Sequence, residues 1–303
     1  MLINRRSFVL TGAALAATPL ATLATPQAAA APVEAVPLTA AEVVRRIQAH
    51  VGIPWMTTTV DRIVAGSPDT PVKAIATTMM ATLDVLERAA ADGRNMIITH
   101  EPTFYSHQDT TQDLLTDPTY RYKTDFIVDH NLVVFRFHDH WHRMAPDGIN
   151  VGMIRELGWE KNVIPGQPRG FIFPPTPLAD FVNRMAAKLN AHSMRIVGDP
   201  TLPIQRVSAS WGYASLMPDM IKILARPDID LLIVGETREW EMVEYVADQV
   251  TSGLGKALIL LNHVVSEQAG MKYCVEWLKP FLPEVSIAFV PTKEPFWSIP
   301  QLR

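Results

Sequence analysis

Three groups of residues have the types and spacing to do chemistry: His100-Glu101, the run His138-Asp139-His140-Trp141-His142, and His263 with Glu267. Imidazole nitrogens and carboxylate oxygens are donors for Zn, Mn and Fe. Each group follows an apolar, strand-like run: Met96-Ile97-Ile98-Thr99, Val133-Val134-Phe135-Arg136-Phe137, and Leu258-Ile259-Leu260-Leu261-Asn262. In open α/β sheets the ligand crevice lies outside the carboxyl ends of the strands. Three separate stretches are therefore expected to aim their donors at one rim, where a metal could sit.

Spacing sharpens this expectation. His263 and Glu267 stand four apart at the start of a predicted helix, so they share one face. They could donate a nitrogen and an oxygen to one metal or to two adjacent ones, whereas a plain surface pair of that spacing contributes about 0.2–0.5 kcal/mol. His138 and His142 are also four apart. Four titratable residues in five is a dense run for a chain with nine histidines. Some of them are expected to orient a ligand through its free ring nitrogen rather than to bind. Pro102 keeps His100 and Glu101 out of a helix interior, on the extended or turning backbone from which neighbours can both reach a metal.

The elements that must position these groups alternate. Thr39-Ala40-Ala41-Glu42 is a capping box that opens a helix to about His50. Strands are predicted over 60–65 and 72–77, a helix over 81–92 stopped by Gly93, and the strand that ends at His100-Glu101. Residues 103–125 read as a loop with a short helix, 132–137 as a strand and 148–157 as a helix. Pro165, Pro168, Pro174, Pro175 and Pro177 mark 165–177 as a loop-like junction between an N-terminal lobe, 32–164, and a C-terminal lobe, 178–303. Beyond it come helix 178–190, strands 194–198 and 204–210, helix 217–225, strand 230–234, helix 238–248, strand 257–262, helix 264–281 and strand 285–291. Such alternation indicates a two-lobed α/β fold, with the site at strand C-terminal ends between lobes.

Composition narrows the class. The chain has 303 residues, 48% apolar and 19% charged, so it is globular. A net charge of −4 without a basic block argues against nucleic acid as a partner. Asn4-Arg5-Arg6-Ser7-Phe8-Val9-Leu10, an alanine-rich stretch and small residues near 27–31 read as a twin-arginine signal peptide over 1–31. The expected product is periplasmic or secreted, exported folded, with no membrane span after cleavage. Cys274 is the only cysteine, so no internal disulfide is possible; an inert core position is expected for it.

Taken together, these pieces resemble the Nif-three-like proteins, a family that includes dinuclear-metal proteins labelled GTP cyclohydrolase I type 2 homologues. The resemblance runs from about Ala40 to Pro291. It covers Val64 to Lys73; Ile97 to Pro102, where the family has Thr-His-His-Pro; His138 to His142, where it has His-x3-Asp; Asp230 to Glu236; and Asn262 to Glu267, matching Gly-His-Tyr-x-Ser-Glu. Glu101 stands at the second His and His142 at the Asp. The implied ligand set is His100, Glu101, His142, His263 and Glu267. It keeps three imidazoles and two carboxylates, as an exchange rather than a decay would. His138 and His140 are placed around that set. Glu236, past a fourth strand end, is the candidate general base or orienting partner, with a helix N-terminal acid as the plain alternative.

The implied cofactor is a pair of divalent ions, Zn, Mn or Fe. The implied assembly is a homo-oligomer, in the family often a hexameric ring. The expected activity is metal-dependent hydrolysis of a small amide, cyclic amide or ester by a metal-bound water. GTP is scarce in a periplasm, so the cyclohydrolase label is not carried over. A non-catalytic metal-binding or scaffolding protein is the alternative. An amidohydrolase-like barrel fits less well, because His138-x-His140 comes mid-chain. Tyr105, Trp141 and Trp297 are weighed as pocket walls against ordinary packing, and Arg143 and Arg238 as contacts for a substrate anion.

Overall fold

Among the described residues, five helices begin at side-chain caps that the sequence supplies. The computed structural model describes residues 37–214 and 217–297, and Gly12; the remainder of the expected signal segment lies outside the described residues. Helix α1 (Ala40–His50) opens at Thr39, whose hydroxyl accepts from the Glu42 N–H at 3.3 Å, as the capping box predicts. Asp117 caps α3 (Pro118–Asp129), and Asp147 caps α5 (Gly148–Leu157) by accepting from Ile149 and Asn150. Asn262, at φ 64°, caps α9 (His263–Leu278). The remaining helices are α2 (Leu83–Ala91), α4 (Asp139–Arg143), α6 (Leu178–Leu189), α7 (Met217–Leu224) and α8 (Glu244–Thr251).

Strands form two sheets. The first has the order β1-β4-β3-β2-β11, with β1 (Ile63–Ala65), β2 (Ala74–Met80), β3 (Met96–Glu101), β4 (Val133–Arg136) and β11 (Ser286–Phe289). All its pairs are parallel except β1 with β4. The second has the order β5-β6-β8-β9-β10-β7, with β5 (Val163–Ile164), β6 (Gln167–Pro177), β7 (Arg195–Val197), β8 (Pro203–Ala214), β9 (Leu231–Thr237) and β10 (Ala257–Leu260). Here β8, β9 and β10 are parallel, flanked by antiparallel neighbours.

One hydrophobic core lies between the inner faces of the sheets. It joins Ile75, Ile98 and Phe135 of the first to Val207, Ile233 and Ile259 of the second, through residues of α1, α5, α6 and α9. The outer face of the first sheet packs on α2 and α3; that of the second packs on α7 and α8. The fold is mixed α/β, as expected.

Three local readings are corrected. The proline-rich segment 165–177 is not a loop: Gln167–Pro177 is strand β6, paired with β8. Its register shifts between Ile172 and Thr176, where Pro174-Pro175 cannot donate ladder hydrogen bonds, while Phe171 is fully buried. Within 103–125, α3 starts with Pro118 in its first turn and runs to Asp129. The helix predicted over 238–248 begins as a π-helical turn, Glu239–Val243, before α8.

Candidate metal centre

The expected rim exists, and each element brings its donors by a different device. His100 and Glu101 are the last two residues of β3 rather than residues beyond it, and both are buried. β4 passes through Phe137 to His138, the N-cap of the short helix α4, which carries His142. His263 opens α9 and Glu267 follows one turn later on the same face. Glu236 is the penultimate residue of β9.

Four imidazoles are oriented in the same way. The Nδ1 of His100 bonds the carbonyl of Phe137 at 3.2 Å, that of His138 the carboxylate of Asp139 at 2.9 Å, that of His142 Asp147 at 3.3 Å, and that of His263 Glu236 at 3.0 Å. These oxygens can only accept, so each Nδ1 donates. The four Nε2 atoms are left as the ones that meet the cluster. This is the arrangement that fixes ligating histidines. His100 Nε2 lies 3.2 Å from His142 Nε2, so two ring nitrogens that would otherwise oppose lone pairs must share a proton or a cation.

The carboxylates complete the set. Glu267, 2% exposed, places Oε2 3.1 Å from His263 Nε2 and 3.5 Å from His100 Nε2, and Oε1 3.6 Å from His142 Nε2. Glu101 Oε1 is 3.2 Å from His263 Nε2 and 3.6 Å from His138 Nε2. Room for Glu267 comes from Gly212, at φ +72°, where a Cβ would stand 2.2 Å from Glu267 Oε1. A bulge in β8 between Ser210 and Tyr213 presents that glycine.

The charges respond to this crowding. Burial opposes a proton on His263, yet its bonds to Glu101, Glu236 and Glu267 outweigh burial and push it up to about 12. His142 is also raised: burial works against it, while Asp147 and Glu267 favour its charged form. His100 is held well below the ordinary histidine range, first by burial and then by His138 and His142. Burial raises Glu101, but His263, His138 and Arg136 bring it below the usual carboxylate range. Such a concentration of anions and imidazoles, with a proton held where a cation fits, suits a metal ion. The donor sets His100/His138/His142 and His100/Glu101/Glu267 each fall within 4.8 Å.

The cluster forms the floor of a cavity of about 560 Å³, walled by Tyr105, Ser106, His107, Arg169, Trp211 and Tyr213. Tyr105 is 60% exposed and lines it, so the packing alternative fails there. Trp141 is fully buried core, and Trp297 lines a different cavity with Phe296. Arg143 and Arg238 are not among the cavity walls; Arg169 from β6 is, bonded to Asp147 at 3.1 Å.

Two placements differ from expectation. His140 is not brought to the cluster. Its Nδ1 bonds Asp61 at 2.6 Å, its Nε2 accepts from the Met56 N–H at 3.0 Å, and its ring stacks on Trp55. It braces the turn, since Asp61 also accepts the N–H groups of His138 and Asp139. His138, by contrast, stands among the donors, stacked on His100 at 4.6 Å. Sequence reasoning missed Arg136, fully buried and bonded to Glu101, and Asp147. A charge inside an apolar strand run and an acid just before a predicted helix were the available signals.

The chain is similar to known proteins over most of its length. Residues 42–295 match the Duf34/NIF3 (NGG1p interacting factor 3) family model. A GTP cyclohydrolase 1 type 2 homolog of Clostridium acetobutylicum is 24% identical over 198 residues, 61% of this chain and 69% of that protein. Another from Chlamydia muridarum is 21% identical over 240 residues, 76% of this chain and 88% of that protein. A Staphylococcus aureus hypothetical protein superposes with TM-score 0.66 at 18% identity, covering 87% of this chain and all of that one. With a family match spanning both sheets and every donor in the cluster, the chain belongs to the Duf34/NIF3 family.

Proposed function

We propose that this protein is an exported metal-dependent hydrolase with two divalent ions at the His/Glu cluster, acting on a small amide, cyclic amide or ester. The observation that carries the reading is the common orientation of four imidazoles, Nδ1 outward to an oxygen and Nε2 toward two buried carboxylates, beneath an open cavity. His100, His142 and Glu267 would hold one ion. His263, Glu101 and Glu267 would hold the other, with His138 beside Glu101. Glu267 would be shared between the two sets, because its Oε1 faces His142 while its Oε2 faces both His263 and His100. Zn suits this N/O set first, then Mn or Fe. Two such ions supply water acidification and charge stabilisation for a developing oxyanion.

The chain's own residues then bind and orient. Glu236 is bonded to His263 Nδ1 and held below the usual carboxylate range, first by that bond. That oxygen is engaged by the imidazole it faces, and we assign Glu236 to orienting His263. Tyr105, Trp211 and Tyr213 supply aromatic lining for a substrate, in a cavity of the size that takes small molecules. Export by the twin-arginine route rests on Arg5-Arg6 ahead of an apolar stretch, and a homo-oligomer rests on the family resemblance.

Elemental analysis of the exported protein beside His263→Ala is the test, followed by chelator-sensitive turnover of an amide, lactam and ester panel. Two metals per chain, lost in the variant, with turnover abolished by chelator, is the expected result. Metal without turnover would leave a metal-binding scaffold, and no metal would remove the hydrolase reading.

A further inference from the structure

We propose that Arg136 fixes Glu101 as a one-oxygen ligand, so that a coordination position at the second ion stays open to substrate. This rests on the two-ion reading above. Arg136 is fully buried at the end of β4, and among the described residues its guanidinium hydrogen bonds all go to oxygen. Nη2 donates to Glu101 Oε2 at 3.1 Å and Nε to the His100 carbonyl at 3.2 Å. Nη1 donates to the His107 carbonyl and stands 3.5 Å from Asp109 Oδ2. The other oxygen, Glu101 Oε1, faces the imidazoles of His263 and His138.

A carboxylate with both oxygens free can chelate a metal through the pair. Here one oxygen accepts a charge-assisted bond from a cation that cannot lose its proton, leaving a single oxygen for the metal. Each protein oxygen withheld leaves a place for exchangeable ligand, as catalytic sites require. The planar fork also does what a lysine could not. One arm holds the ligand while the other holds the 102–109 loop, whose Tyr105, Ser106 and His107 wall the cavity. Asp109 fixes that loop from the far side by accepting the N–H groups of Thr103 and Phe104, both at 2.8 Å. Arg136 is thus a positioning residue that joins ligand geometry to the substrate wall.

Amide substitution exposes this role. In Glu101→Gln the side chain has one oxygen, and Arg136, which only donates, claims it. The amide nitrogen, which cannot ligate, is then turned to the ion. Zinc titration of the full chain against a chromophoric chelator, with elemental analysis, reads the outcome. E101Q is expected to bind one of its two zinc ions no more tightly than E101A, both at least about tenfold more weakly than the parent protein. Arg136→Met combined with E101Q frees the oxygen and is expected to recover the loss, a rescue that a merely structural arginine would not give. E101Q lying between E101A and the parent, or a folded double variant without recovery, overturns the proposal. Should the double variant fail to fold, the ranking of E101Q against E101A decides alone. A parent protein with two zinc ions and an unchanged E101Q sinks this inference only; a parent that binds no zinc sinks the two-ion reading with it.

Discussion

His263 is the residue at which the site's charge is decided. Its Nδ1 donates to Glu236 and its Nε2 faces Glu101 and Glu267, so without metal it holds a proton up to about 12. In the unfolded chain that proton leaves near 6.5. Above 6.5 the folded state therefore binds more protons than the unfolded state, and stability falls as pH rises. His142, also raised, acts in the same direction. Lys123, pushed down to about 8 by burial, opposes them only above that value, so the clean window is pH 6.5 to 8. Chelator-treated protein should lose up to about 1.4 kcal/mol per pH unit from His263 across this window. Zinc-loaded protein should gain from the same change, because metal competes with protons for its ligands. Thermal unfolding of both forms beside His263→Ala checks this, and a pH-independent metal-free parent would contradict it. Glu236→Ala removes only the orienting bond from a half-exposed position, and should weaken zinc binding about 10–100-fold with the fold retained. At this scale much of the donor set was legible, because His-x3-Glu on a helix and donors at strand ends are local patterns. Which nitrogen of His138 meets the cluster, and what buried Arg136 pairs with, depends on partners distant in sequence: Glu101 is thirty-five residues away.

Among the elements, β8 has the largest unread consequence for the site. Its bulge places Gly212 at φ +72° against the carboxylate of Glu267. An alanine there meets two costs: the left-handed backbone, about 1–2 kcal/mol, and a methyl 2.2 Å from Glu267 Oε1 that must displace it. Gly253 separates the two, since it has φ +72° as well but nothing within 4 Å of a built Cβ. Gly212→Ala and Gly253→Ala should both lower Tm, while only Gly212→Ala should weaken zinc binding, read by the same chelator competition. Equal zinc affinity in the two variants would show that Glu267 has room to spare. The start of α1 was readable because its cap, Thr39, is written in a few adjacent residues, whereas the Asp147 cap of α5 was passed over. β6 was not, because its prolines signal a loop locally while pairing with β8 and burial of Phe171 make it a strand.

At the scale of the molecule, α9 is the layer both sheets share, and the site's precision depends on its seat. The Thr77 hydroxyl of β2 donates to the Met271 carbonyl at 2.7 Å, and the Gly212 N–H of β8 donates to the Ser266 hydroxyl at 3.1 Å. The helix is thus bonded to one strand of each sheet. On its remaining side it crosses α5 at glycines: a Cβ on Gly270 would stand 2.5 Å from Ile149 Cα, and one on Gly152 2.3 Å from the Ala269 carbonyl. Alternating strands and helices announced an α/β protein, but no local pattern tells which helix lies between two sheets, and the glycines at the crossing carry no periodic signal. Gly270→Ala sets two effects against each other. Alanine favours an isolated helix by about 1 kcal/mol, whereas overpacking a tight contact costs about 1–3 kcal/mol. The neighbour here is backbone, which cannot rotate away, so the contact should prevail and Tm should fall. Glu267 lies one turn before Gly270, so the shift needed to relieve the clash should reach the ligands and weaken zinc binding as well. A stabilised Gly270→Ala with unchanged zinc affinity would mean that α9 can slide between the sheets without disturbing the site, and the ligands would then owe their geometry to the local bonds of Glu236, Asp147 and Arg136 instead.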